Sequence, residues 1–295
     1  MIKKAHIIEV CPRDGMQNLE AFVPTENKLK LIDDLVASGI KKMQVTSFVN
    51  PKAIPQMRDA AEVVKVVKAK YPEVLFTALV PNLRGAQSAY AAGIREISYV
   101  ISASESHNKA NVNSSIKASF DALEAIKKEF VDLKIKLDIA TAFGCPFEGD
   151  VPIQKIFEMI DKAITIGVDE LFLADTIGVA NPQQMAEVLD AVKEAYPAIS
   201  FGLHLHDTQG MGLANVLMAV QKGFDTFEAA AGGLGGCPFA PGAAGNIATE
   251  DLVNMLEKMG IPTDINLDRL LEAVSFIKEN IKAGLTGHMG SARRF

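Results

Sequence analysis

ELFLADTIGVANPQQMAEVLDAVKEAYPAISFGLHLH, from Glu170 to His206, reads as strand, helix, strand. Its two ends, Glu170 to Ala174 and Ser200 to His206, are short apolar runs of the length a buried strand takes. Between them Asn181-Pro182 opens a helix. The asparagine side chain can accept a first-turn N–H, and the proline has its φ preset and lacks an N–H that the first turn could not use. Two strands joined by a helix run parallel, and a parallel sheet is covered on both faces. The unit belongs to an α/β fold.

The same alternation extends in both directions. Upstream strand candidates are His6 to Cys11, Lys42 to Val49, Val74 to Val80, Glu96 to Ile101 and Ile135 to Thr141; downstream comes Thr226 to Ala230. That makes about eight, the number a closed parallel barrel needs. Amphipathic stretches separate them, such as Thr25 to Ala37 with Leu29, Leu31, Ile32 and Leu35 set among Lys and Asp. Gly39, Gly93, Gly167, Gly223 and Gly260 each follow a helical pattern, where a left-handed residue ends a helix. The rival, a doubly wound open sheet, lacks a GxGxxG turn after the first strand. The expectation is a single catalytic (β/α)8 TIM-barrel domain. Its barrel spans about residues 5–262, a C-terminal helix spans about 264–283, and a poorly ordered tail runs from Gly284 to Phe295.

Length and composition agree. The chain has 295 residues, and such barrels take roughly 250. Hydrophobic residues make up 48% and charged residues 22%, the balance of a globular protein with a large core. A net charge of −6 argues against a nucleic-acid partner, because no basic surplus exists to neutralise phosphates. Cys11, Cys145 and Cys237 are odd in number and widely spaced, which fits a reducing cytoplasm rather than a disulfide framework. The start, MIKKAHIIEV, has no apolar signal core, and no run approaches a membrane span.

In a barrel of this kind the functional side chains gather at the C-terminal ends of the strands. The first candidate runs into Arg13-Asp14-Gly15, the sixth into Asp175-Thr176, and the seventh contains His204-Leu205-His206. After the eighth comes GGLGGCPFAPGAAGN, Gly232 to Asn246. His204 and His206 share one face of their strand, about 6.5 Å apart along it. Such a pair suits a shared cation and, equally, a satisfied pair in the core. Asp14 would add a hard carboxylate and Asn246 a carbonyl oxygen. Taken singly, Arg13-Asp14 reads as a surface ion pair and Asn246 as a turn residue. Nitrogen and oxygen donors without a thiolate suit Mg²⁺ or Mn²⁺, with Zn²⁺ or Co²⁺ next. Cys237, between glycine and Pro238, is badly placed to pack a core, and a thiol there can carry a proton or act as a nucleophile. Cys11 and Cys145 read as small buried hydrophobes.

Together these motifs resemble the 3-hydroxy-3-methylglutaryl-CoA lyase family, within the barrel metallolyases that include the isopropylmalate and homocitrate synthases. The matching segments are EVCPRDGMQN (Glu9 to Asn18), TSFVNPKAIPQM (Thr46 to Met57), SASESHNKANVN (Ser102 to Asn113) and FGCPFEG (Phe143 to Gly149). They continue with ADTIGVANP (Ala174 to Pro182), HLHDTQG (His204 to Gly210) and GGLGGCPFAPGAAGNIATEDL (Gly232 to Leu252), in family order over nearly the whole chain. The resemblance implies a divalent cation, Mg²⁺ or Mn²⁺, on Asp14, His204, His206 and Asn246. It also implies Arg13 as the cation facing the thioester enolate, Asp175 as a carboxylate assisting proton transfer, and Cys237 as the acid that protonates the product. Glu9 and Glu250 fall on acidic positions that support the site. A homodimer is the implied assembly. One position departs: Gln44 stands where the family pattern has Glu, keeping the shape and hydrogen bonding but not the charge.

The implied reaction is metal-dependent cleavage of 3-hydroxy-3-methylglutaryl-CoA to acetyl-CoA and acetoacetate, with His204 or Asp175 taking the hydroxyl proton. Gln44 keeps open a related thioester such as citramalyl-CoA, which would give pyruvate. A condensing synthase needs C-terminal regions for which the chain has little room. A non-catalytic acyl-CoA-binding protein would not need the ligand set.

Overall fold

The computed structural model describes residues 2–236 and 245–291. Strands β1 (His6–Glu9), β2 (Lys42–Ser47), β3 (Leu75–Leu79), β4 (Glu96–Ser102), β5 (Lys134–Ala140), β6 (Glu170–Asp175), β7 (Phe201–Leu205) and β8 (Thr226–Ala229) follow one another around a closed barrel. Every neighbouring pair is parallel, and β1 meets β8 in the register His6–Thr226 to Glu9–Ala229. All eight expected strands form. Several stop earlier than expected: β1 ends at Glu9, and Cys11–Gly15 winds into a π-turn.

Helices α1 (Thr25–Ala37), α2 (Ala60–Lys70), α3 (Leu83–Ala91), α4 (Glu105–Val112), α5 (Ile116–Glu129), α6 (Ile153–Ile166), α7 (Pro182–Ala195), α8 (Gly212–Lys222), α9 (Thr249–Lys258) and α10 (Leu267–Phe276) accompany the strands. Each barrel helix buries one stripe. In α6 it is Ile156, Met159, Ile160 and Ala163, the spacing that faces one side of a 3.6-residue helix. Asn181 caps α7 by accepting from Gln184 N at 3.0 Å. Gly167 ends α6 and Gly223 ends α8 in the left-handed region, at φ 81° and 89°.

The barrel axis is filled in layers. Phe172 on β6 occupies the space opposite Gly202 on β7, where an added Cβ would lie 2.2 Å from the ring. Lys136 on β5 is 2% exposed and holds its ammonium 4.3 Å from the Phe172 ring centre, on the side of the strand ends.

The tail corrects one expectation. Beyond α10 and a π-turn over Ile277–Ile281, residues 286–289 are tied to the barrel, while residues 292–295 lie outside the described residues. Thr286 N donates to Gly232 O at 3.0 Å, and Met289 N donates to Asp251 Oδ1 at 2.7 Å. Composition at a chain end says little about whether a partner surface exists for it.

Candidate active site

The end of β7 and the return from the glycine loop build the centre. Beyond β7, His206 pairs antiparallel with Asn246, with Asp207 N on Gly245 O at 3.0 Å and Ile247 N on Leu205 O at 3.1 Å. That ladder sets an amide from the late chain beside the histidine pair. From the opposite side the turn after β1 delivers Asp14, whose Oδ2 accepts from Asn246 Nδ2 at 2.6 Å. One ligand atom each from Asp14, His204 and His206 lies within 4.8 Å of the others. Two polar atoms in this group are buried without a hydrogen-bond partner, His206 Nδ1 and the acceptor Asn246 Oδ1. A buried polar atom left unmatched is costly. Hard and borderline donors converging on such orphans fit a divalent cation.

The charges are arranged to match. Burial works against ionisation of Asp14, but Arg13 and the two imidazoles outweigh it and hold the carboxyl below its usual range. Burial, then the charge of His204, pushes His206 down to about 4, so that ring is neutral near pH 7 and able to ligate. His204 is raised: burial opposes its charge, but the hydrogen bond to Glu228 and the nearby carboxylates prevail. Its Nδ1 meets Glu228 Oε2 at 2.7 Å, leaving Nε2 turned to His206 Nε2 at 3.1 Å. A carboxylate behind a ligating histidine fixes the ring and makes the free nitrogen more basic.

Glu228 is one end of a buried relay that sequence reading missed. Lys136 pairs with Glu228 and, at 2.8 Å, with Asp138 Oδ1. Burial and the two carboxylates pull Lys136 in opposite directions, and the carboxylates win, keeping it charged. Glu228 is depressed because Lys136 and His204 overcome its burial, whereas burial raises Asp138 despite Lys136. The available signal was KIKLD within β5: charged residues two apart on a strand that otherwise reads as core.

Arg13 stands at the cleft, ion-paired to Asp14, with Nε donating to Gln44 Oε1. Gln44 in turn donates to Ser98 Oγ at 2.6 Å. The cleft has a volume of about 200 Å³, lined by the polar Asp14, Asp138, His204 and His206 and by the apolar Leu79, Val80, Pro81 and Val100. Ligand pockets usually begin near ~300 Å³, so this space suits a small head group. A larger cavity of about 720 Å³ opens at the other end of the barrel, beside Lys4, Lys42 and Glu170, and carries no such cluster.

Not every expected residue joins the cleft. Asp175 is 1% exposed and spends its oxygens on Val179 N at 3.1 Å and Ala180 N at 3.0 Å, shaping the turn after β6. Burial lifts its carboxyl to about 6. Glu9 accepts from Cys11 N at 2.8 Å, Ala231 N at 3.0 Å and Thr249 Oγ1 at 2.8 Å, so it ties the end of β1 to the turn after β8 and to α9. Glu250 accepts from Gly232 N at 3.0 Å. Cys11 and Cys145 are both buried, but Cys145 is more than a small hydrophobe, since its Sγ donates to Ser104 Oγ at 2.9 Å and accepts from Phe147 N and Glu148 N at 3.3 Å. Cys237 lies outside the described residues.

The family model described as HMGL-like matches residues 4–277. Hydroxymethylglutaryl-CoA lyase YngG of Bacillus subtilis is 44% identical over 281 residues, 95% of this chain and 94% of that protein. The human mitochondrial hydroxymethylglutaryl-CoA lyase is 45% identical over 277 residues, 93% of this chain and 85% of its own length. Among solved structures, an HMG-CoA lyase from Acinetobacter baumannii in complex with coenzyme A and 3-methylmalate superposes with a TM-score of 0.94. Its identity is 40%, over 99% of this chain and 96% of that one.

Proposed function

The chain belongs to the HMGL-like family, and on that premise we propose that Asp14, His204, His206 and Asn246 hold a divalent cation, Mg²⁺ or Mn²⁺, at the mouth of the barrel. The chain is a carbon–carbon lyase that cleaves 3-hydroxy-3-methylglutaryl-CoA to acetyl-CoA and acetoacetate. The observation that supports the metal reading most is the meeting of three ligand atoms within 4.8 Å beside the unmatched Asn246 Oδ1.

Bound there, a divalent cation would supply Lewis-acid polarisation of the substrate's hydroxyl and a template for its orientation. Arg13, aimed by Gln44 and Asp14, would stabilise the enolate oxygen of acetyl-CoA as its charge develops, an effect worth about 3 kcal/mol. Cys237 is the acid assigned to the enolate carbon. With Nδ1 on Glu228 and Nε2 directed at a cation, His204 has no nitrogen left for the hydroxyl proton. Of the carboxyls that burial raises toward neutrality, Asp138 lines the cleft and Asp175 stands behind it. The proton is therefore assigned to Asp138, and Asp175 to holding the turn. The apolar wall excludes water from the carbanion.

No helix among the described residues is long and apolar enough to cross a membrane, and the cytoplasm is the compartment proposed. The experiment is a product assay. Metal-stripped protein is given 3-hydroxy-3-methylglutaryl-CoA with and without added Mg²⁺ or Mn²⁺, and acetoacetate is measured. Release only with metal is expected; full activity of rigorously metal-free protein would refute the cation. A parallel arm with citramalyl-CoA, read as pyruvate, should give little product. Faster turnover there would move the substrate assignment.

A further inference from the structure

The family match ends at residue 277, yet the chain beyond it returns to the catalytic face. Leu285 covers Gly232, and an added Cβ on that glycine would lie 2.7 Å from Leu285 Cδ2. Thr286 Oγ1 donates to Gly233 O at 2.9 Å, while Thr286 N and Gly287 N both reach Gly232 O, at 3.0 and 3.3 Å. His288 N and Met289 N then grip the two carboxylate oxygens of Asp251, each at 2.7 Å. Gly287 leaves no room for a side chain, since a Cβ would lie 2.2 Å from Glu250 Oε1. Glu250 in turn holds Gly232 N at 3.0 Å from below.

The Gly232–Gly233 turn is thus held from two sides, and it leads straight into the metal centre. Gly232 and Gly233 sit at φ 75° and 64°, a left-handed pair without side chains to lock it in place. The next carbonyl, Leu234 O, accepts from Asn246 Nδ2 at 3.0 Å, and the same amide nitrogen donates to Asp14 Oδ2. Gly235 packs where its Cβ would lie 2.5 Å from that nitrogen. The orientation of the Asn246 amide, and with it the direction of Oδ1, depends on where Leu234 O stands.

We propose that Leu285 to Met289 form a positioning strap: by pinning the Gly232–Gly233 turn they fix Leu234 O and so aim Asn246 Oδ1 into the ligand group. Thr286 and Gly287 are the positioning residues. Neither lines the cleft. The strap's purpose rests on the proposed cation, whereas its grip on the turn stands on hydrogen bonds alone.

Two readouts separate these. Amide hydrogen exchange over 232–236 and 245–249 reports the turn, and Mn²⁺ titration followed by electron paramagnetic resonance reports the ligand group. In a chain ended at Gly284, exchange in the turn should accelerate at least tenfold and Mn²⁺ affinity should fall at least tenfold, with far-ultraviolet circular dichroism unchanged. Thr286→Val, which keeps the shape but loses the donor, should shift both in the same direction by about threefold, and Thr286→Ser should restore them. If the shortened chain does not fold, the Thr286 pair decides: Thr286→Val matching the unaltered chain in both readouts overturns the strap. Faster exchange with unchanged Mn²⁺ affinity overturns its purpose. Failure of the unaltered chain to bind Mn²⁺ overturns the cation site and the purpose together.

Discussion

His204 and His206 were legible as an H-x-H pair on one strand face, while Asp14 and Asn246, singly an ion-pair residue and a turn residue, were legible as a group through the family resemblance. Glu228, Lys136 and Asp138 were not, since a charge in the middle of a strand identifies itself only when its partner across the barrel is known. These residues divide the work, and substitution can tell them apart. Glu228→Gln keeps the hydrogen bond to His204 but removes the charge, so Mn²⁺ affinity should drop by ~10- to 100-fold, as for other partners of ligating histidines. An unchanged affinity would make Glu228 a matter of packing alone. Asp138→Asn should leave Mn²⁺ binding within about threefold and lower kcat by ~100-fold, the range of a lost proton acceptor. If kcat survives, the proton goes elsewhere. Gln44, where the resemblance led one to expect a glutamate, has a local reading: it orients Arg13 through Nε without taking up its charge.

At the scale of elements the strand–helix alternation was readable throughout, because period and glycine punctuation are local properties. Strand ends were less so. Val10 and Cys11 are as apolar as the strand before them, yet both are buried in the turn that swings Arg13 and Asp14 over the barrel; burial, not strand pairing, explains their character. The tail went unread for the opposite reason: its glycines and polar residues look like solvent-exposed chain, and only the Gly232–Gly233 turn and Asp251 give them partners. Packing between β6 and β7 supplies a test. Gly202→Ala sets a methyl into the Phe172 ring, and overpacking of this kind costs typically about 1–3 kcal/mol. Urea unfolding should show a lower midpoint at unchanged slope, partly recovered by adding Phe172→Leu. A midpoint equal to that of the unaltered chain would mean that the strands yield freely.

Across the whole molecule, a carboxyl buried near each end of the chain joins the barrel seam to the glycine turn. Burial lifts both Glu9 and Glu250 to about 7. For Glu9 the unfolded chain releases its proton near 4.5 and the folded one near 7. The folded state therefore binds more protons across that window. The stabilisation is complete below pH 4.5 and is lost as pH rises through about 7. Glu9→Gln cannot ionise, so its melting temperature relative to the unaltered chain should climb between pH 4.5 and 7 and level off above; parallel curves would place the ionisation elsewhere. That network is one consequence of the closed barrel, which lets residues 14 and 246 meet. The barrel, and with it a seam joining β1 to β8, could be inferred from a count of strands, but the register across that seam could not. On the proposed reading, function rests on Asp14 and Asn246 meeting a histidine pair around one cation. Mn²⁺ titration of the metal-stripped protein tests this most directly, with electron spin-echo detection of ligand nitrogen. One tight Mn²⁺ per chain is predicted, with coupling to two histidine nitrogens, reduced to one nitrogen and weaker binding in His206→Ala. Mn²⁺ that stays loosely bound, or that shows no imidazole coupling, would contradict it.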